Sequence, residues 1–219
     1  MSIKIIITGA TGFVGEGVLL ECLRHPGIST VLMVNRRPFN LEHPKLKELI
    51  VPELQQADAN AETLAGYDAC FFCAGISSAG MSEEQYTKVT YDTTIAFANA
   101  VLRFNKELTF CFVSGSHTDS SEKGKVMWAR VKGRTENALL KLPFKKAYNF
   151  RPGGMIPTTG QQNVKTAYKL IVKLMAILMP NRVSTLKEVG LAMIHAAIDG
   201  SSKQVLEISD IKELAKHAL

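Results

Sequence analysis

The chain has 219 residues, 46% of them hydrophobic and 21% charged, which suits a folded globular protein with a substantial core and excludes a disordered one. The net charge of +6 favours anionic ligands such as phosphates, but no basic run or aromatic-interleaved basic patch points to nucleic acid. The densest apolar run, "AYKLIVKLMAILMP" (167–180), is broken by Lys169 and Lys173 and falls short of a membrane span, and the opening "MSIKIIITGATGFVG" lacks the order of a signal peptide, so a cytoplasmic location is expected.

Apolar strand-like runs alternate with helical patterns along the chain. "IKIIITG" (3–9) reads as a strand, "VGEGVLLECLRH" (14–25) as a helix, "STVLMVNR" (29–36) as a second strand and the poorer "LKELIVP" (46–52) as a third. A short helix, "AETLAG" (61–66), precedes the strand "DACFFCAG" (68–75), and a long helical stretch covers 82–105. The strand "LTFCFVSG" (108–115), a helix over 125–141 and the strand "KAYNFRPGG" (146–154) follow. The loop "MIPTTGQQN" then leads to a helix over 163–179 that Pro180 ends. An amphipathic helix over 185–200, a short strand "QVLEIS" and a final helix "DIKELAKHAL" capped by Asp210 complete the pattern. Continuous apolar runs suit strands buried on both faces, and the alternation calls for a parallel sheet covered by helices on both sides. With no repeat or linker, the chain reads as one domain over 1–219, in which 155–219 forms a small C-terminal helical elaboration on the substrate side.

Four cysteines, Cys22, Cys70, Cys73 and Cys111, are expected to stay reduced. Cys70 and Cys73 form a C-x-x-C, but residues three apart on a strand face opposite sides, so they read as core thiols rather than ligands of one metal.

"TGATGFVG" (8–15) stands where the first strand meets the first helix, with Gly9, Gly12 and Gly15 in a G-x-x-G-x-x-G spacing. One glycine permits the sharp turn, one lets a pyrophosphate approach bare backbone, and one lets the helix pack on the sheet. The helix N-terminus then offers N–H groups and partial positive charge to the phosphates. Thr8, Gly9, Thr11, Gly12, Phe13, Val14 and Gly15 are therefore the candidate dinucleotide cradle. At the end of the second strand, where an acid selects NAD by holding the ribose 2′-hydroxyl, the chain has Asn35, Arg36 and Arg37. A guanidinium suits a 2′-phosphate, so NADP (NADPH) is expected over NAD, with one of the two arginines a plain surface charge.

Taken with "DACFFCAG", "VSGSH", "VKGRTE" and "RPGG", these residues resemble the short-chain dehydrogenase/reductase superfamily in its extended and atypical branches, and most closely NAD(P)-dependent epimerase-like and NmrA-like proteins. The resemblance covers residues 3 to about 155 and implies a Rossmann-type doubly wound parallel sheet. It implies that Cys73, Ala74 and Gly75 pass beneath the adenine ribose and pyrophosphate, and that Arg151, Pro152 and Gly153 lie near the nicotinamide. Catalysis in that superfamily uses a serine or threonine with a Y-x-x-x-K pair. Ser116 matches the serine, with Ser114 as the nearest alternative, and Lys132 matches the ribose-binding lysine. Trp128 stands at the tyrosine position, and its indole N–H is a donor only. Thr90 falls where the superfamily often has asparagine, and His117 adjoins Ser116 as a titratable alternative.

Two functions follow: an oxidoreductase acting on an unknown small molecule without the usual phenol, or a non-catalytic NADP(H)-sensing regulatory or protein-binding module of NmrA-like type. The 163–179 helix, with Lys165, Lys169 and Lys173 along one edge, reads as a lid, a subunit contact or a core helix with a solvated lysine stripe. A homodimer and a protein partner both remain open.

Overall fold

The structure, a computed structural model, describes residues 2–164, 172, 176 and 178–216. Strand β1 (Ile3–Thr8) leads through a glycine turn into helix α1 (Phe13–Arg24), then β2 (Ile28–Asn35) and β3 (Leu46–Ile50). A 3-10 stretch (Leu54–Asn60) and α2 (Ala61–Leu64) precede β4 (Ala69–Phe72). Helices α3 (Glu83–Thr87) and α4 (Thr93–Phe104) are joined by a π turn at Lys88–Asp92 and followed by β5 (Thr109–Val113). Helix α5 (Met127–Leu139), β6 (Lys146–Phe150), β7 (Gly154–Ile156), β8 (Val183–Thr185), α6 (Leu186–Ile198), β9 (Val205–Leu206) and α7 (Ile208–Leu214) complete the order.

Seven strands form one sheet in the order β3-β2-β1-β4-β5-β6-β9, with every neighbouring pair parallel. This is the doubly wound α/β fold expected from the sequence, and its strand order reverses between β1 and β4, where such folds bind ligands beyond the carboxyl ends of the strands.

Strand alternation builds two cores from single apolar runs. Ile5 and Ile7 join Phe71, Cys111, Tyr148 and Phe150 beneath α1 and α6, while Ile6 joins Cys70, Phe72, Phe110 and Phe112 on the other face. Cys70 and Cys73 accordingly lie against opposite cores. On the second face Phe72 stands 5.7 Å from Phe97 of α4 and 6.1 Å from Phe110, ring centre to ring centre.

Four expectations need correction. The 82–105 stretch is helical but holds the π turn, a locally widened turn in which Thr90 is buried. The final helix begins at Ile208, not Asp210; Glu207 is its cap, and Asp210 sits at the third helical position and accepts the Glu207 N–H at 3.0 Å. "QVLEIS" shrinks to the two-residue β9. Within the stretch read as a loop, residues 154–156 form β7, which pairs in parallel with β8 as a small second sheet. The 163–179 helix falls largely outside the described residues.

Phe72 touches three other rings with no exposure to relieve a void, so Phe72→Ala should lower unfolding free energy by about 3–5 kcal/mol in urea titration.

Candidate active site

The turn after β1 is set by backbone meeting backbone. Gly9 has φ +70°, and a Cβ there would stand 2.6 Å from the Ala74 nitrogen and 2.7 Å from the Cys73 carbonyl carbon. A Cβ on Gly15 would stand 2.1 Å from the Gly9 oxygen, so the first turn of α1 lies directly on the strand exit. The Gly12 N–H closes the turn on the Gly9 oxygen at 2.9 Å, and Thr8 Oγ1 accepts the Ala74 N–H at 3.3 Å, tying β1 to β4. Helix α1 starts at Gly12 without a side-chain cap, and Thr11 and Gly12 are exposed while Phe13 and Val14 are half-buried. An uncapped helix start behind a bare glycine turn can receive an anionic group through backbone N–H donors and the helix dipole.

Flanking elements complete this half of the cleft. Arg36 and Arg37 are exposed just beyond β2, and Gly75 is exposed beyond β4. Asn35 is buried; its Nδ2 donates to Glu48 Oε1 at 3.1 Å, and the same oxygen accepts the Phe39 N–H at 2.9 Å. The carboxylate near the β2 end is thus already engaged by protein donors.

The other half is organised around a buried ion pair that sequence reasoning missed. Glu136, 1% exposed, accepts from Arg151 Nε at 3.0 Å and Arg151 Nη2 at 2.5 Å, and from the Ser114 hydroxyl at 2.5 Å. Arg151 also donates to Ser120 Oγ at 2.5 Å and to Glu207 at 3.0 Å. Its guanidinium therefore joins α5, the loop after β5 and the cap of α7, instead of standing open in the cleft. The available sequence signal was the four-residue spacing of Lys132 and Glu136 in "VKGRTE", which stacks the two on one helix face.

Lys132 Nζ donates to the Ser114 carbonyl oxygen, at the exit of β5. Burial pulls its amine down from the ordinary lysine value to about 8, against the opposing pull of Glu136. Trp128 lies half-buried one turn earlier on α5. Ser116 is anchored by its N–H to the Pro152 oxygen at 2.8 Å, and His117, exposed with φ +67°, has Nδ1 3.3 Å from Ser116 Oγ. Ser114 is buried with its hydroxyl directed to Glu136, which leaves Ser116 the more open of the two serines. Thr90 hydrogen-bonds Tyr86, whose phenol burial raises above its ordinary value.

The segment read as the loop "MIPTTGQQN" clamps α1 from outside. Glu16, 3% exposed, accepts the N–H groups of Gln162 and Asn163 at 2.6 and 2.7 Å, Gln161 donates to the Phe13 carbonyl, and Arg24 donates to the Thr159 carbonyl at 2.6 Å. The chain beyond β7 is thereby laid along the helix that starts at the glycine turn.

Removing Glu136 strands a buried guanidinium, so Glu136→Ala should cost about 3–5 kcal/mol in chemical denaturation. Lys132 acts in the opposite sense. Because its folded value is depressed, the penalty for burying the ammonium is complete below about pH 8 and is relieved as pH climbs from there toward the unfolded value. Lys132→Met should therefore raise the urea midpoint at neutral pH, by a margin of roughly 1–3 kcal/mol that fades as pH approaches the unfolded value.

The model of the NAD dependent epimerase/dehydratase family matches residues 5–125. Protein FMP52, mitochondrial, of Kluyveromyces lactis is 24% identical over 225 residues, covering 97% of each chain. Among solved structures, uronate dehydrogenase from Agrobacterium tumefaciens superposes with TM-score 0.66 at 15% identity, over 94% of this chain and 76% of that one. The Bordetella bronchiseptica enzyme WbmF in complex with NAD+ superposes with TM-score 0.64 at 17% identity, over 98% and 76%. The family match spans more than half of the chain, including the glycine turn, the end of β4 and the loop after β5, and the chain belongs to the NAD dependent epimerase/dehydratase family.

Proposed function

We propose that this protein is an NADP(H)-dependent oxidoreductase of the atypical short-chain dehydrogenase/reductase type, acting on a small molecule without the usual tyrosine. One observation carries the reading: an uncapped helix start behind a glycine-bounded turn and a half-buried lysine ammonium meet the same carboxyl edge of the sheet.

The residues fit a nicotinamide dinucleotide. Gly9 and Gly15 let the main chains of β1, the β4 exit and α1 meet closely, so that phosphates would approach the uncapped start of α1 at Gly12, with Cys73, Ala74 and Gly75 beside it. Arg36 or Arg37 would hold a 2′-phosphate, Lys132 the nicotinamide ribose, and Pro152 and Gly153 the far wall. When bound, the nicotinamide supplies or accepts a hydride. The protein's part is to bind, orient and exchange a proton, with Ser116 hydrogen-bonding the reacting oxygen. In this reading the whole chain acts as one unit, with residues 155–219 on the substrate side.

The second reading, an NADP(H)-sensing module that regulates or binds another protein, is favoured by one fact: the residue one turn before Lys132 is Trp128, which cannot give up a proton. On location, among the described residues no helix is long and apolar enough to cross a membrane. The K. lactis relative carries "mitochondrial" in its name, against the cytoplasm expected from the sequence, and cell fractionation decides between the two.

Calorimetric titration with NAD, NADH, NADP and NADPH tests the core of the proposal. The 2′-phosphorylated pair should bind at least about tenfold tighter, and Arg36→Ala should erase most of that margin. Equal affinities would refute the arginine assignment; no binding of any of the four would remove the cofactor.

A further inference from the structure

We propose that Lys132 is itself the proton-transfer residue of this site, giving a proton to the substrate oxygen during reduction and taking it back during oxidation. The inference rests on the dinucleotide reading above and deepens it.

The geometry leaves few other candidates at this edge of the sheet. Trp128 offers an indole N–H that stays protonated. Tyr86 is buried and hydrogen-bonded to Thr90. His117 is exposed to water beside Ser116. Lys132 stands one turn beyond Trp128 on the same helix face, with its amine at the carboxyl end of β5 and held there by the Ser114 carbonyl. It can rotate one of three N–H groups toward a ligand while that bond is kept.

The charged surroundings set how readily it releases a proton. From its own helix Glu136 favours the ammonium, but the Arg151 guanidinium of the β6 exit grips both carboxylate oxygens and offsets that pull. The loop after β5 brings His117, which is exposed, and Asp119, whose carboxylate is taken by the Ser121 hydroxyl and the Gly124 N–H. Desolvation dominates, and it leaves the amine at about 8, inside the range where a group can act as acid or base at neutral pH. An ordinary lysine near 10.4 holds its proton too tightly for this.

The step balances simply. In reduction a hydride passes from the reduced nicotinamide to the carbonyl carbon, the carbonyl π pair moves to oxygen, and an ammonium proton of Lys132 joins that oxygen. The neutral amine then recovers a proton from water, so that carbonyl, NADPH and one proton become alcohol and NADP+.

The Lys132→Arg variant isolates this role, because arginine keeps the charge and the donors but cannot release a proton near neutral pH. The full chain would be assayed for NADPH binding by calorimetry and for NADPH-dependent reduction of phenanthrenequinone. NADPH should still bind the variant, with whatever affinity the altered ribose contact leaves, and kcat at saturating NADPH should fall at least about 100-fold. Wild-type kcat for reduction should decline as pH rises through about 8, a limb missing from the variant's residual rate. A substrate-free measurement accompanies these: trinitrobenzenesulfonate labelling of Lys132, read by mass spectrometry, should show a midpoint near 8 and protection by NADPH. Failure of wild-type protein to bind NADPH would sink the cofactor reading. The proton-transfer inference is overturned by NADPH binding without quinone turnover, by an arginine variant as fast as wild type, or by a labelling midpoint at the ordinary lysine value.

Discussion

The Glu136–Arg151 pair fixes the half of the candidate site that carries Ser116 and Lys132. Two charges removed from water cost several kcal/mol each, and their attraction offsets that only when geometry is good and the spare donors and acceptors are filled. Here they are filled: Glu136 takes a two-pronged guanidinium and the Ser114 hydroxyl, and Arg151 spends its remaining donors on Ser120 and Glu207. Those partners come from the segment after β5, which supplies both serines, and from the cap of α7. The pair therefore sets where α5 lies against β5 and β6, where the loop carrying Ser116 turns, and where α7 begins. Lys132 inherits its place from the same arrangement, since it is bound by the Ser114 whose hydroxyl Glu136 holds.

The cofactor half is built on the opposite principle. No charge is buried in the turn after β1; the constraint is the absence of side chains. Gly9 and Gly15 bring the main chains of β1, the β4 exit and α1 into contact that any Cβ would break, and the helix they lead into starts without a side-chain cap. Glu16 in that first turn would oppose an anion if it were free. Its carboxylate instead takes the N–H groups of Gln162 and Asn163, so its charge is spent on the segment that follows β7. One helix thus joins the glycine turn to the part of the chain expected to lie over the substrate.

These differences decide what could be read from sequence. The alternating Ile5, Ile6 and Ile7, and the aromatic runs of β4 and β5, declare strands buried on both faces because burial period and residue type coincide within a few positions. The glycine turn is legible for the same reason: its steric rule acts over eight residues. The family match over residues 5–125 agrees with that reading. Arg151 was read as a residue of the nicotinamide wall, and its bond to Glu136, fifteen positions away, leaves no local periodicity to find. The β7–β8 pair escaped because three-residue strands carry too little pattern, and its partners lie far apart in the chain. At the last helix, Asp210 looked like a cap because acids favour that place; Glu207 outcompeted it by capping the helix while also meeting Arg151.

In the proposed function the tryptophan at 128 and the depressed lysine at 132 bear on the same proton. A phenol beside a lysine brings a second proton-bearing group and a hydrogen-bond partner, and it lets the ammonium stay charged while the phenol titrates. An indole supplies neither an acceptor nor a second titration, and its apolar ring lines the same helical turn. Burial lowers the Lys132 amine despite the opposing pull of Glu136, whose two oxygens Arg151 also holds. In the proposed reaction, with no phenol at 128, proton exchange would fall one turn along α5, on an amine that burial already loosens.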